Sequence, residues 1–358
     1  MKLALYIDCM QFGGANRVMA NLASYFAEHS NEVILINDVH PTKDKQEYDV
    51  SNKINRLFLD VGAEKTTNRI HRSILRIRNL RTLLKSEKPD VIVSFMGPPN
   101  IRMLLATVGL KTRKIVSVRN DPYKEYGTGI RKIISGIIFR LADGCVFQTG
   151  DAARYFPKSV QDKSEVIFNP VNEKFYRQEL LPEEKNVVMV GRLQPQKNTA
   201  LAIKAFSQVA SKYPEYKLVL YGEGELKKSL QNLAQKLGIL EQVVFAGQVS
   251  NMEEKLASAA IYLLSSDFEG MPNALMEAMA VGVPCISTDC PCGGPRALIQ
   301  NEKQGILVPV GNDERMSNAL DSLMTDKELR NNMRKAAKIR AQEFKPVHIF
   351  AQWEKFLM

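Results

Sequence analysis

Two acidic residues, Glu269 and Glu277, lie on either side of a turn at residues 270–273. The residue types in this stretch could do chemistry. The turn follows an apolar run that predicts a buried strand, and it leads into a short helix-forming segment that ends at Gly282. Its residues are Gly270, Met271, Pro272 and Asn273. Gly270 permits an unusual backbone turn, and Pro272 suits the first position of a helix. Free amides at this helix start, together with the helix dipole, favour the binding of a phosphate.

The two acids occupy different places in this element. Glu269 lies in the loop, whereas Glu277 lies about one and a half turns into the helix, which rises roughly 1.5 Å per residue. They can therefore reach different parts of one ligand. On this stretch alone the alternative stays open that Glu269 is a solvated loop acid and Glu277 an ordinary helix residue.

A pair of cations supplies the second candidate. Arg192 and Lys197 follow the first predicted strand of the second half of the chain, where they can clamp a diphosphate. Taken alone they can equally be solvated loop cations. Gly222 and Gly247 follow the next two strands, where glycine permits close approach to a flat base or serves backbone conformation only.

These candidates must be positioned by alternating strands and helices. The alternation predicts parallel α/β structure in both halves, and 358 residues suit two domains. The predicted boundaries are a first domain at 1–170, a linker at 171–182, a second domain at 183–336 and a C-terminal helix at 337–358. Gly13 and Gly14 follow the first strand but lack the three-glycine fingerprint of a nicotinamide enzyme.

Composition narrows the class of protein. No apolar run approaches the roughly 20 residues of a membrane span, and the N-terminus reads as a first strand, not a signal peptide. Five cysteines without a repeating framework indicate reduced thiols and a cytoplasmic location. Cys290 and Cys292 alone do not make a metal site, which would need more ligands, so no metal is predicted.

The positive charge is concentrated in the first half of the chain. Residues 1–170 carry 26 lysines and arginines against 17 aspartates and glutamates, out of 49 and 39 in the whole chain. This excess indicates an anionic partner, either nucleic acid or an anionic membrane surface. Because aromatic residues do not alternate with the bases, the membrane is favoured and no nucleic acid is predicted.

One predicted helix, residues 69–85, is basic and amphipathic. Its apolar stripe consists of Ile70, Ile74, Ile77, Leu80 and Leu84, and Arg72, Arg76 and Arg81 are among the bases around it. The helix either faces the core with a solvated basic side or docks on anionic lipid. Residues 130–141, which include Arg131, Lys132 and Arg140, extend the same surface in the second case.

The motifs taken together resemble the retaining glycosyltransferases of family 4. The likeness covers essentially the whole chain and is most specific in the Glu269–Glu277 block with Arg192 and Lys197. It also includes Gly13-Gly14-Ala15, Gly222-Glu223-Gly224, Phe245-Ala246-Gly247, Asn169-Pro170-Val171 and Gly305-Ile306-Leu307-Val308-Pro309. The resemblance implies the GT-B architecture, in which two Rossmann-like β/α/β domains face each other across a cleft and a C-terminal helix crosses back to the first domain.

The resemblance also implies a site for a nucleotide sugar. Arg192 and Lys197 would neutralise the diphosphate, and Glu277 would hydrogen-bond the ribose hydroxyls. Glu269 would contact the donor sugar. The remaining members of the implied site are glycines and amides: Gly270 to Asn273 in the phosphate cradle, Gly247 and Gly222 near the nucleobase, and Gly13 and Gly14 beside the phosphate and acceptor. No metal cofactor is implied, because protein cations stabilise the leaving group.

The chain departs from the family at two places, of which one is the turn Gly293-Gly294-Pro295-Arg296-Ala297, which lacks the acid frequently found there, and the other follows the strand at 115–118. Many members carry a histidine just after the strand at 115–118, where this chain has Arg119 and, two residues on, Asp121. An arginine does not serve as a base. Either Arg119 supports the phosphate or a sugar hydroxyl electrostatically, or Asp121 takes a polar role.

The sequence therefore predicts a retaining hexosyltransferase for bacterial polysaccharide assembly. Its donor would be a nucleotide-linked hexose or N-acetylhexosamine, with UDP favoured, and its acceptor a lipid-linked (polyprenyl) or cell-surface glycan. The enzyme would lie peripherally on the inner face of the cytoplasmic membrane. The alternatives are a UDP-sugar epimerase of the same architecture, a non-catalytic sugar-nucleotide-binding partner subunit and a solute-receptor-like binding protein.

Overall fold

The structure is a computed structural model that describes residues 1–11, 13–29, 31–41, 47–59, 68–177, 181 and 183–358. Contacts divide the chain into two units, Met1–Phe168 with Phe350–Met358, and Asn169–Ile349. Among the described helices, none has the length and apolar character needed to cross a bilayer.

The division into units differs in detail from the predicted domain boundaries. The first change of unit comes at Asn169, and residues 178–180 and 182 of the predicted linker lie outside the described residues. Position 337, the predicted start of the last segment, lies inside the continuous helix Lys327–Ala341 of the second unit, and the chain rejoins the first unit only at Phe350. The predicted boundaries themselves stay a prediction.

The first unit is built on a seven-stranded parallel sheet. Its strands are β1 Lys2–Ile7, β2 Glu32–Asn37, β3 Asn55–Phe58, β4 Val91–Phe95, β5 Arg113–Ser117, β6 Gly144–Phe147 and β7 Ser164–Val166. They are arranged in the order β3-β2-β1-β4-β5-β6-β7. The inner strands β4 and β6 are buried throughout, and β1 is buried after Lys2, as expected where helices cover both faces of a parallel sheet.

Among the described residues of the first unit, seven α-helices connect these strands. They are α1 Gly14–Glu28, α2 Arg69–Glu87, α3 Gly97–Ala106, α4 Pro122–Glu125, α5 Ile130–Phe139, α6 Gly150–Arg154 and α7 Lys158–Gln161. The last part of the chain completes this unit, because Trp353 is fully buried and stacks on Phe95 with ring centroids 5.9 Å apart.

The second unit holds a six-stranded parallel sheet. Its strands are β8 Glu184–Val190, β9 Lys217–Tyr221, β10 Val243–Gly247, β11 Ala259–Leu264, β12 Cys285–Thr288 and β13 Ile306–Val308, in the order β10-β9-β8-β11-β12-β13. Its helices are α8 Thr199–Ser207, α9 Lys227–Lys236, α10 Met252–Ala257, α11 Asn273–Val281, α12 Gly294–Leu298, α13 Asp313–Thr325 and α14 Lys327–Ala341. The final helix α15, Pro346–Leu357, begins in this unit and ends in the first.

Each sheet has one point at which its strand order reverses. In the first unit it lies between β1 and β4, and in the second between β8 and β11. The loops that leave two such neighbouring strands diverge to opposite sides, so a crevice forms at the carboxyl ends, where open α/β sheets bind their ligands. The predicted α/β class with two Rossmann-like parallel sheets is confirmed.

Three local expectations were wrong. Pro272 is the residue before α11 and not its first member (φ −76°, ψ 98°). Gly270 is not among the described glycines with positive φ, which in this region are Gly282 and Gly293. The sequence pattern predicts one helix over 200–213, but helix α8 ends at Ser207 and the chain continues as turns.

Candidate active site

The two loops at the reversal point of the second unit are joined by hydrogen bonds. The amide of Asp267 donates to the carbonyl of Gln196 at 2.9 Å, and the Gln196 side chain donates back to the carbonyl of Phe268 at 2.9 Å. Ser265 Oγ donates to the carbonyls of Lys197 and Asn198, each at 2.9 Å. The loop after β8 is therefore held in register with the loop after β11.

Asn198 is the residue that joins these loops most directly. Its backbone is left-handed, with φ 42°, and its Nδ2 donates to Asp267 Oδ1 at 2.7 Å. The same side chain accepts from the amide of Leu201 at 3.3 Å and so caps α8. Asparagine is one of the few residues that tolerate this conformation.

This register brings Lys197 and Glu269 together. Lys197 Nζ lies 2.5 Å from Glu269 Oε1, and Ser266 Oγ donates to the same oxygen at 2.7 Å. Glu269 is buried, and the lysine retains 21% side-chain exposure. A buried carboxylate is thus stabilised by one cation and one hydroxyl, and the lysine side chain that supplies the cation is not fully buried.

The start of α11 lies beside this pair. No side chain caps it, and the amides of Leu275 and Met276 already donate to the Pro272 carbonyl. The turn is fixed from the other side, because a Cβ on Gly294 would lie 2.0 Å from the Gly270 carbonyl oxygen. Asn169 Nδ2 also donates to Asn273 Oδ1 at 2.6 Å. An uncapped helix start in a fixed turn is suited to bind an anion.

Glu277 is buried one turn into α11. Burial raises the pKa of the Tyr262 phenol well above its usual range, and the charges of Glu269 and Glu277 both raise it further. Both carboxylates therefore act on the same buried side chain of β11.

Arg192 lies on the exposed rim of the same loop. Within the described chain its side chain forms no ion pair or hydrogen bond, and the Lys197 side chain packs over the neighbouring Gly191. Both predicted cations thus belong to one loop at the reversal point. Lys197 is held in place, whereas Arg192 extends into solvent.

The packing and backbone conformation of the loops explain why positions 222 and 247 are glycines. A Cβ on Gly222, at φ 138°, would lie 2.0 Å from the Gly191 carbonyl oxygen. The Gly222 amide donates to the Gly247 carbonyl at 2.7 Å, and Gly247 has φ 69°. These glycines allow the loops after β8, β9 and β10 to pack together, so the residue type follows from loop packing whether or not a base lies against them.

Gly13 differs from these glycines. It precedes α1 with extended backbone (φ −178°), and the nearest atoms to an added Cβ would be 3.9 Å away. Gly14 is the first residue of α1. Neither backbone strain nor internal packing requires glycine at position 13, at the reversal point of the first sheet.

Arg119 and Asp121 lie after β5 in the first unit, and both are buried. The Arg119 guanidinium carbon lies 4.0 Å from the centre of the Phe95 ring and 5.4 Å from that of Trp353, which is a cation–π arrangement. Burial lowers the pKa of Arg119 to about 9. Asp121 Oδ1 accepts from the Tyr123 amide at 2.9 Å and caps α4.

Glu125 is a titratable residue of this region that the sequence analysis missed. Its Oε1 accepts from the Gly97 amide at 2.8 Å, and Oε2 is buried without a hydrogen-bond partner in the described chain. Burial raises the pKa of this carboxyl to about 7. Met96, the residue before Gly97, has φ 76°, which is rare for a residue with a side chain. No pattern in the sequence predicts the burial of the Glu125 carboxyl against this turn.

No group of three or more potential metal ligands occurs among the residues that the structure describes. Burial raises the pKa of the Cys290 thiol to about 12, so this thiol is protonated at neutral pH. The independence of the reaction from a metal stays a prediction.

Two family models match the chain in succession. "Glycosyltransferase Family 4" matches residues 12–175, and "Glycosyl transferases group 1" matches residues 171–340. The chain belongs to glycosyltransferase family 4. The predicted family and enzyme class are thereby confirmed, and the reversal-point site lies in the part that matches the second model.

Relatives and solved structures extend along the whole length of this glycosyltransferase. Two Campylobacter jejuni relatives are 26% and 27% identical; the alignments cover all of this chain and 98% and 99% of the relatives. By name both are N-acetylgalactosaminyltransferases that act on undecaprenol-linked glycans. Anabaena HepE, solved with UDP, has 16% identity and a TM-score of 0.80, with 100% of this chain and 99% of HepE covered. At that identity the likeness shows the GT-B fold alone.

Proposed function

We propose that this glycosyltransferase transfers a hexose or N-acetylhexosamine from a UDP-sugar to a lipid-linked glycan, with retention of anomeric configuration. The observation that carries the proposal is the Lys197–Glu269 pair, held beside the uncapped start of α11 by the hydrogen bonds between the two loops. This arrangement combines a cation of the loop after β8 with a buried carboxylate and a helix start that follow β11.

The donor diphosphate is assigned to the positive side of this arrangement. The partly exposed Lys197 and the exposed Arg192 each contribute a positive charge. The α11 start contributes amides and a partial positive charge. These groups stabilise the charge that develops on the leaving diphosphate. Because cations of the protein do this, we propose that no metal cofactor is required.

The two carboxylates are assigned to neutral hydroxyl groups of the donor. Glu277 takes the ribose hydroxyls and Glu269 the transferred sugar, since both are buried and accept hydrogen bonds strongly. Met271 to Asn273 complete the phosphate cradle, with Gly222 and Gly247 near the nucleobase. In the first unit, Gly13, Gly14, Arg119 and Asp121 remain the proposed residues on the phosphate and acceptor side.

Retention is explained by attack on the face from which the leaving group departs. The bond between the anomeric carbon and the phosphate oxygen breaks, and a bond to the acceptor oxygen forms on the same face. The proton of the acceptor hydroxyl passes to an oxygen of the leaving diphosphate. Lys197 and Arg192 hold that diphosphate in position, so that it serves as the base.

The acceptor is proposed to be linked to a polyprenyl lipid. The named activities of the two Campylobacter relatives support this choice, and so does the excess positive charge of residues 1–170. An enzyme with such an acceptor works at the cytoplasmic face of the membrane, so we propose a peripheral location on that surface.

Release of nucleotide from a panel of UDP- and GDP-sugars, with and without an undecaprenol-linked glycan extract, tests the proposal. We expect acceptor-dependent release with one UDP-sugar, an axial product linkage by NMR from an axial donor, and undiminished activity in EDTA. The Glu277→Ala variant should lose release under all conditions. Conversion of a UDP-sugar without acceptor would indicate an epimerase, and no turnover of any donor would contradict the proposed activity.

A further inference from the structure

Helix α5 presents a row of exposed isoleucines that the proposed chemistry does not use. Ile130, Ile133, Ile134 and Ile137 are between 50% and 68% exposed, and Leu141 just beyond the helix is 42% exposed. At 100° per residue the five side chains lie within an arc of about 100°. Ser135, Gly136 and Phe139 form the opposite, buried side. Single exposed apolar residues are common, but a contiguous row marks an interaction surface.

Cations border this row on both sides. Arg131 precedes it on one side of the helix and Arg140 lies on the other, both exposed. Arg131 and Lys132 form no ion pair with an acid within the described ranges, and α5 itself contains no acidic residue. Lys132 Nζ lies 5.1 Å from the centre of the Tyr155 ring.

A pocket of about 380 Å³ opens beside the isoleucine row. Its polar lining consists of Lys132, Arg140 and Arg154, and its apolar lining includes Ile137 and Phe156. Arg154 forms an ion pair with Asp151 at the edge, so Lys132 and Arg140 provide most of the positive charge. The pocket therefore combines cations with an apolar wall, which matches the phosphate and upper acyl chain of a lipid.

We infer that α5 is the surface by which this enzyme docks on a bilayer that contains anionic lipids. The isoleucine row enters the boundary between headgroups and acyl chains, and Arg131, Lys132 and Arg140 contact lipid phosphates. A second copy of the chain is a poorer occupant, since a symmetric contact would bring the same cations against each other. This inference rests on the proposed lipid-linked acceptor only in so far as that acceptor brings the enzyme to a membrane.

The membrane contact therefore lies on α5 and not on α2, the basic helix whose predicted span was residues 69–85. In α2, Arg76 lies 3.3 Å from the buried Asp38, and Arg81 Nη1 donates to the carbonyls of Ala106 and Val108 at 2.7 Å. Both arginines therefore make their contacts within the first unit. Leu80 and Leu84 of the apolar stripe are buried, whereas Ile70 is 73% exposed. Arg76 and Arg81, two of the bases around the predicted stripe, are therefore committed to intramolecular contacts.

Vesicle sedimentation at low salt tests the inference. The full-length chain is mixed with vesicles of phosphatidylglycerol and phosphatidylethanolamine, or of phosphatidylcholine alone. We expect binding only to the first kind, weakened at least tenfold in Ile134→Gln/Ile137→Gln and roughly fivefold or more in Arg131→Gln/Lys132→Gln. The control pair Ile339→Gln/Val347→Gln replaces apolar residues of the second unit that are more exposed than Ile134 and Ile137, and it should bind as the wild type does.

Two further measurements keep the outcomes distinct. Thermal unfolding checks that the exposed substitutions leave the fold intact, and donor turnover without vesicles is followed in parallel. Wild-type vesicle binding by both α5 variants, or binding lost only in an Arg69→Gln/Arg78→Gln variant of α2, would overturn the inference while leaving the proposed transferase untouched. A wild-type dimer that Ile134→Gln/Ile137→Gln converts to a monomer, without any vesicle binding, would assign the surface to self-association instead.

Discussion

At the scale of single residues, Lys197 connects the buried carboxylate of Glu269 to the proposed donor diphosphate. Replacing Lys197 by Ala should lower kcat/KM for the donor by roughly 30- to 1,000-fold, about 2 to 4 kcal/mol of transition-state stabilisation. The loss has two parts, because the variant removes the cation from the leaving group and leaves Glu269 buried without its ion pair. Steady-state kinetics with the preferred UDP-sugar measures it.

The matched control is Lys204→Ala, an exposed lysine on the neighbouring helix α8. It changes the net charge by the same amount and should leave kcat/KM unchanged. Equal kinetics in the two variants would remove Lys197 from the proposed site.

Glu125 provides a prediction about pH. Its pKa in the folded chain, about 7, lies above the usual 4.5 because the carboxyl is buried. The folded state therefore binds more protons than the unfolded state between these values, and the free energy of unfolding falls as pH rises from 4.5 to 7. Glu125→Gln keeps the bond from the Gly97 amide and imitates the protonated acid. It should be more stable than the wild type at pH 8, by about 3 kcal/mol, and of similar stability at pH 5.

The measurement is the difference in thermal midpoint between the two proteins at each pH, which cancels the titration of all other groups. A difference that stays constant between pH 5 and pH 8 would mean that Glu125 has an ordinary pKa.

At the scale of elements, Asn198 fixes the two loops of the reversal point without being assigned to the donor. Asn198→Gly keeps the left-handed backbone and loses the bonds to Asp267 and Leu201, so it should cost about 1 kcal/mol of stability. Asn198→Ala adds strain at φ 42° and should cost about 2 kcal/mol. Because Lys197 is the adjacent residue, kcat/KM should fall about tenfold for Ala and less for Gly.

Asn312→Ala is the control for this series. Asn312 Oδ1 accepts from the Arg315 amide at 2.8 Å and caps α13, a role similar to that of Asn198 in α8. This variant should lose stability and keep its kcat/KM. If Asn198→Ala behaves in the same way, the loop register does not matter for catalysis.

The elements also show what the sequence could and could not predict. The apolar run before the Glu269 turn correctly predicted β11, a strand that is buried throughout its length. The polar edge strands β3 and β7 carry no such run and were not predicted. The pairing of Lys197 with Glu269 joins residues 72 positions apart. This pairing requires that β8 and β11 be neighbours in the sheet. The order of strands in a sheet cannot be predicted from the local periodicity of the sequence.

At the scale of the whole molecule, the chain returns to its first unit after completing the second. Phe350–Met358 belongs with Met1–Phe168, where Phe350 stacks on Tyr25 at 4.2 Å and Arg113 donates to the carbonyls of Phe356 and Leu357. The last turns of α15 are therefore part of the first unit's core, although they are made last. The family resemblance implies a C-terminal helix that crosses back to the first domain, and the contacts agree, because Trp353 is fully buried in the first unit.

Trp353→Ala should therefore destabilise the first unit and spare the second. Deletion of this fully buried ring leaves a cavity beside Phe95 and uncovers one side of the Arg119 guanidinium, at a cost of about 3 to 5 kcal/mol. Amide hydrogen exchange on the full chain should show faster exchange in β4 and β5, with β8 and β11 unchanged. Trp353→Phe, which keeps an aromatic face towards Arg119, should lie between the variant and the wild type. Equal loss of protection in both sheets would show instead that the two units unfold as one.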